Sequence, residues 1–250
     1  MAVKKQLRAI FLDIDDTLYS TSEFSRLARK NAVRAMIRHG LQISARQCLQ
    51  ELEEVVSEFT SNYPYHYNKL LARLGPESHP GINAELFIAA AVIAYHDTKS
   101  SQLKPFPDVL PFLRKAKKGG LKIGVITAGL ATKQAEKILR LGIAPYIDTD
   151  KIFISEQIGI SKPNPKLYLY ALKSSGFAAR ETIYLGDSSV NDIDPCNRVG
   201  MITVKVLRGG KHELLTGITK PLFEVSDFKE LWTVLRSEFL FGEEQRTNGR

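Results

Sequence analysis

Asp13-Ile14-Asp15-Asp16-Thr17-Leu18 follows directly on the apolar run Ala9-Ile10-Phe11-Leu12. A short apolar run bounded by polar residues reads as a buried strand, so the first two acids stand where that strand ends. In an extended chain their side chains point to opposite faces, and a turn after Asp13 brings them around one space. Three acids crowded there repel one another. A divalent cation is the simplest compensation, because hard cations take oxygen ligands. The competing reading is an acidic Asx turn or a helix cap.

Three more polar clusters fall in comparable places. Lys122-Ile123-Gly124-Val125-Ile126 reads as a strand that stops at Thr127. Thr182-Ile183-Tyr184-Leu185 reads as another, stopping at Gly186-Asp187. Ser161-Lys162-Pro163 lies in a loop before a helix and supplies a cation. In open parallel sheets, ligands bind beyond the carboxyl ends of the strands. Two carboxylates and a hydroxyl are therefore delivered to one edge, with an ammonium beside them. Helix caps arising independently have no reason to fall at strand ends in this pattern.

The elements that must position these groups follow from periodicity. Residues 8–13, 122–126, 151–154, 182–185 and 202–206 read as strands, and 108–118, 133–141, 165–174 and about 192–199 as helices. Strands alternating with helices imply right-handed βαβ units. The expected fold is α/β, a doubly wound parallel sheet with a Rossmann-like core. Between the first strand and residue 104 the spacing is helical throughout: from Ser22 to Gly40, Ala45 to Phe59, a short helix to Leu74, and Asn83 to His96. The expected domains are residues 1–18 with 104–250 as the core and 19–103 as an all-helical insert, with hinges at Tyr19–Thr21 and Ser100–Pro105. The last eight residues, Glu243 to Arg250, read as a frayed polar end.

On these residues the chain resembles the haloacid dehalogenase superfamily, in its phosphatase branch with a helical C1-type cap. The match runs through Asp13-Ile14-Asp15-Asp16-Thr17, Thr127, Lys162-Pro163 and Gly186-Asp187-Ser188-Ser189-Val190-Asn191-Asp192. The resemblance implies a Mg²⁺-dependent phosphomonoester hydrolase working through an aspartyl-phosphate. It implies Asp13 as nucleophile, since a carboxylate that attacks phosphorus splits one hard hydrolysis into two easier steps. Asp15 would protonate the leaving alkoxide and then deprotonate the hydrolytic water. An acid at this position argues for phosphoesters, because a leaving halide needs no proton.

Asp13, Asp187 and the backbone carbonyl of Asp15 would hold Mg²⁺, with Asp192 ordering a metal-bound water or holding Lys162. Thr127 with the amides of Ala128 and Gly129 would cradle the phosphoryl oxygens, and Lys162 would neutralise charge. Thr17 is expected to hydrogen-bond within its loop. Asp16, where many relatives carry glycine, is read as a cap or outlying support, and Asp194 as a helix-end charge. Pro195-Cys196 departs from the family, where small residues such as Gly-Ala are usual, and puts the local helix start in question.

Composition is that of an ordinary globular protein, 44% apolar and 25% charged over 250 residues. Cys48 and Cys196 have neither disulfide nor metal-ligand spacing and read as reduced thiols in a cytoplasmic protein. The longest apolar run, Leu86 to Tyr95, is too short to span a bilayer, and no secretory signal is evident. Net charge is +8; clusters such as Lys4-Lys5, Lys115-Lys117-Lys118 and Arg208-Lys211 read as solvated surface that favours anionic small molecules. No nucleic-acid motif is found. A small phosphorylated metabolite is the expected partner, with nucleotides, sugar phosphates and phosphoglycolate all fitting, and a homodimer through the insert or a core helix is left open. Within the insert, Ser20, Tyr65, His66, Tyr67, Tyr95 and His96 suit recognition of a ring or sugar, but suit a bundle core better. Two alternatives stand beside the hydrolase: a phosphotransferase or mutase of the same superfamily, and a non-catalytic phosphoanion-binding protein.

Overall fold

A computed structural model describes residues 4–210 and 212–242. Lys211 and the polar stretch 243–250 lie outside the described residues, as do residues 1–3. The chain divides into two compact units, Met1–Thr21 with Lys104–Arg250, and Ser22–Leu103.

The first unit is built on strands β1 (Lys5–Gln6), β2 (Ala9–Leu12), β3 (Lys122–Thr127), β4 (Ile152–Ile154), β5 (Thr182–Gly186), β6 (Ile202–Val206), β7 (Phe223–Val225) and β8 (Phe239–Leu240). Six form one sheet in the order β4-β3-β2-β5-β6-β7, and every neighbouring pair in it is parallel. Strand β2 sits at its centre. The chain first builds outward through β3 and β4, then returns to the other side of β2 for β5, β6 and β7. The order reverses between β2 and β5, the topological switch point where a crevice opens at the carboxyl edge. β1 pairs with β8 in a separate two-stranded ribbon.

All of β2 and β5 is buried, as expected for parallel strands covered on both faces. One core cluster joins Phe11, Ile126, Phe153, Leu167, Tyr168, Tyr184, Cys196 and Met201. The second unit carries α1 (Thr21–Arg38, whose first residue belongs to the first unit), α2 (Ala45–Phe59), α3 (His66–Leu74) and α4 (Ala84–Gln102). Ala32, Val33, Met36, Cys48, Leu52, Leu70, Phe87 and Ala91 pack its interior. Tyr67 packs against that interior, whereas Tyr65 is exposed and His66 Nε2 lies 2.8 Å from the Thr60 carbonyl oxygen. No helix among the described residues is long and apolar enough to cross a membrane.

The remaining helices are α5 (Val109–Lys118), α6 (Ala131–Arg140), α7 (Ser155–Ile158), α8 (Pro165–Ser175), α9 (Asp194–Arg198) and α10 (Phe228–Glu238). Several differ from the sequence expectation. α4 runs on to Gln102, and α6 starts two residues early. The helix read at 192–199 is a wide turn over Ser189–Ile193 followed by the short α9, with Pro195 in its first turn, where a missing N–H costs nothing. β7, the β1–β8 ribbon and α10 were not foreseen. The structural division after Thr21 also falls a few residues beyond the sequence boundary, because Asp16 accepts the Thr21 amide and Asp15 accepts the Tyr19 and Thr21 hydroxyls.

Candidate active site

Register places the first acids. Leu12 of β2 pairs with Leu185 of β5, and the Asp13 amide donates to the Leu185 carbonyl at 2.9 Å. Asp13 and Asp187 thus leave adjacent strands at the switch point. Asp192 reaches the same place from the wide turn after β5. Ligand oxygens of Asp13, Asp187 and Asp192 all lie within 4.8 Å of one another, and all three residues are buried.

Lys162 is the counter-charge. Its buried ammonium donates to Asp13 Oδ1 at 2.5 Å and to Asp192 Oδ1 at 2.7 Å, over the Tyr184 ring. Burial would lower the Lys162 pKa, but the two carboxylates outweigh it and hold it above the ordinary lysine value. One ammonium cannot balance three carboxylates. Burial pushes the Asp13 carboxyl up to about 7 against the pull of Lys162, and Asp192 and Asp15 add to the rise. Burial, then the charges of Asp192 and Asp13, push Asp187 up to about 8.

The three acids are not equivalent. Asp192 Oδ1 is engaged by Lys162, with the Tyr184 hydroxyl 3.1 Å away, and its Oδ2 accepts the Ser188 amide. Asp187 Oδ2 is buried with no hydrogen-bond partner. A buried oxygen left without a partner costs free energy, and here it sits among like charges. This donor set of hard carboxylate oxygens fits Mg²⁺: Asp13, Asp187 and Asp192 could together hold a metal ion, and Asp192 also accepts the Lys162 ammonium.

Asp15 faces elsewhere. Its carboxylate receives the Lys137 ammonium on Oδ1 and Oδ2 at 2.7 and 2.6 Å, the Tyr19 hydroxyl at 2.5 Å and the Thr21 hydroxyl at 3.0 Å. Burial alone would raise its pKa, but Lys137, reinforced by these hydroxyls, holds it below the ordinary carboxylate value. The side chain of Asp15 is not part of the three-acid cluster.

Thr127 ends β3, buried at the same edge. Its hydroxyl donates to Gln134 Oε1 at 3.3 Å, and Gln134 Nε2 donates to the Ala128 carbonyl at 3.0 Å. Gly129, at φ +139°, lets Gln134 lie against it, since a Cβ there would stand 2.6 Å from Nε2. The Gly129 amide donates to Ser155 Oγ at 3.0 Å, so that amide of the expected phosphate cradle is committed to the protein.

Other expectations also change. Thr17 Oγ1 is buried without a hydrogen-bond partner, contrary to the loop bond expected for it. Asp194 opens α9, the helix-end charge expected of it, and its carboxylate also accepts from the Ile218 and Thr219 amides and the Thr219 hydroxyl, pinning a loop. Sequence reasoning missed Gln134, Lys137 and Tyr19. The available signal was that Gln134 and Lys137 lie three apart, on one face of the helix that follows Thr127.

Comparison with known proteins gives the family. The family model of the haloacid dehalogenase-like hydrolases matches residues 7–200. A glyceraldehyde 3-phosphate phosphatase of Methanopyrus kandleri is 43% identical over 234 residues, covering 92% of this chain and 97% of its own. The enzyme of the same name from Methanocaldococcus jannaschii is 40% identical over 231 residues, covering 92% and 98%. Among solved structures, a putative beta-phosphoglucomutase from Thermotoga maritima superposes with a TM-score of 0.65 at 20% identity, covering 92% of this chain and 99% of its own.

Proposed function

The chain belongs to the haloacid dehalogenase-like hydrolases, and from that premise we propose that it is a Mg²⁺-dependent phosphomonoester phosphatase whose first candidate substrate is glyceraldehyde 3-phosphate. The observation that carries this reading is the partnerless Asp187 Oδ2 beside Asp13 at the switch point. The substrate rests on the relatives named above, which this chain matches over nearly their whole length.

Asp13, Asp187 and the Asp15 backbone carbonyl would hold Mg²⁺, which supplies the positive charge that keeps both carboxyls ionised and lets an anion approach a phosphoryl group. The Asp13 carboxylate attacks phosphorus, forming one P–O bond as the ester P–O bond breaks. Asp15 passes a proton to the departing alkoxide. Water then attacks the phosphorus of the aspartyl-phosphate, Asp15 takes its proton, and phosphate leaves with Asp13 restored. Lys162 keeps Asp13 oriented and offsets charge on the phosphoryl oxygens. Thr127 and the Ala128 amide receive the remaining oxygens. The helical unit is read as the cap that selects the substrate. A cytoplasmic setting belongs to the same reading, supported by two buried free thiols.

Phosphate release from a panel of phosphorylated metabolites that includes glyceraldehyde 3-phosphate, with Mg²⁺ and with EDTA, tests this. Mg²⁺-dependent release is expected. A purified, folded protein that releases phosphate from no member, p-nitrophenyl phosphate included, refutes it.

A further inference from the structure

We propose that Lys137 is a positioning residue, which fixes the orientation of the Asp15 carboxylate by bridging both of its oxygens; the inference rests on the phosphatase reading of the site. A carboxylate has about four lone-pair positions. Oδ1 of Asp15 receives three donors within 3.0 Å: Lys137 Nζ, the Tyr19 hydroxyl and the Thr21 hydroxyl. Oδ2 receives Lys137 at 2.6 Å and only a long contact from Gln134 Nε2 at 3.4 Å. Oδ1 is the more crowded oxygen, and on Oδ2 the Lys137 ammonium makes the close contact.

The donors come from two places. Tyr19 and Thr21 lie within six residues of Asp15 in the chain, Thr21 as the first residue of α1, whereas Lys137 and Gln134 belong to α6. Gln134 is buried and also grips Thr127 and the Ala128 carbonyl. One helical face therefore ties the proton-transfer carboxylate to the phosphate-binding loop at the end of β3. A misplacement of about 1 Å in a catalytic group can cost on the order of 100-fold in rate, and Lys137 is the contact that spans both oxygens. It acts through Asp15, so its loss is predicted to weaken kcat and to leave substrate binding alone.

The test compares wild type, Lys137→Met, Lys137→Arg, Asp15→Asn and the double variant Asp15→Asn/Lys137→Met on an alkyl phosphomonoester. In Lys137→Met, kcat is expected to fall on the order of 10- to 100-fold, part of what general acid–base catalysis supplies, with KM within about twofold. Lys137→Arg recovers most of the loss, and the double variant is no slower than Asp15→Asn, because residues acting as a unit are not additive. An unchanged kcat, a raised KM as the main effect, or a double variant slower still overturns the proposal. If Lys137→Met does not fold by circular dichroism, Lys137→Gln carries the same comparison. A crystal structure of the folded variant gives an arm independent of turnover: an Asp15 carboxylate that keeps its orientation without Lys137 overturns the inference. A wild type inactive on every phosphomonoester removes the phosphatase reading instead.

Discussion

Asp187→Asn separates a crowded cation site from an ordinary acidic pocket. Burial and the neighbouring Asp192 and Asp13 hold the Asp187 carboxyl near about 8, against an ordinary 3.8. A folded-state pKa above the unfolded value means that the metal-free fold favours the protonated form. Stability is then fullest below pH about 4 and declines as the pH rises towards about 8. At about 1.4 kcal/mol per tenfold change in proton affinity, the charged carboxyl costs the metal-free protein up to about 4 kcal/mol at pH 7. Asparagine has nearly the same shape without the charge, and after relaxation about 2 kcal/mol of that is expected as net gain. For a chain of this size, 2 kcal/mol corresponds to a Tm higher by about 4–8 °C. The assay is thermal unfolding of both proteins at pH 4 and pH 8, in EDTA and in Mg²⁺. In EDTA the variant should melt higher at pH 8 and no higher at pH 4. Mg²⁺ should raise the wild-type Tm at pH 8, by about 2.7 kcal/mol of stabilisation at 100 times its Kd, and should not raise the variant's. A variant that melts no higher than wild type in EDTA at pH 8, or that gains as much from Mg²⁺, refutes the reasoning.

Asp13→Asn should abolish turnover with the circular dichroism spectrum unchanged; near wild-type turnover would remove Asp13 as nucleophile. Asp15→Ala should slow alkyl phosphates far more than p-nitrophenyl phosphate, whose leaving group needs no proton, and equal losses on both would count against the acid role. Asp227 caps α10 by accepting the Lys229 and Glu230 amides at 2.8 and 2.7 Å, and those bonds hold its pKa below the ordinary value. Asp227→Ala should cost about 1 kcal/mol at pH 7. Because the folded pKa is depressed, that contribution is present above the unfolded pKa and lost as the pH falls through the folded one. The Tm gap between the two proteins should therefore close in acid, and a gap constant from pH 7 to pH 2 would count against the cap.

Much of the sheet was legible because a buried parallel strand announces itself as an apolar run that stops at a polar residue. Leu12 to Asp13, Ile126 to Thr127 and Gly186 to Asp187 are three such stops, and parallel strands put all of them at one edge. β7 escaped because Phe223-Glu224-Val225 is three residues long at the sheet margin, too short to show a period. α10 was readable in principle, since Phe228, Leu231 and Leu235 are buried at helical spacing behind the Asp227 cap. What could not be read was the direction a side chain takes once its strand has ended.

Asp13 and Asp15 show why direction matters more than spacing. They are the same residue type, two positions apart, and they meet opposite fields. Asp13 is still aligned by β2, so its carboxylate goes where β5 and the following turn send Asp187 and Asp192, and its pKa rises. Asp15 lies beyond the strand, in a loop where Asp16 takes a left-handed φ of +54°, a conformation short polar residues tolerate better than most. That loop carries Asp15 to Lys137 on α6, and its pKa falls. Spacing alone groups the two acids into one cluster. The turn assigns one to a site short of positive charge and the other to an ammonium already in place. Environments that push the pKa values of like groups apart are how one site divides different tasks between them. On that argument the positive charge still missing is expected beside Asp13 and Asp187, whereas Asp15 already has its own, and the residue that enforces the division is Lys137, which no motif in the first strand's loop contains.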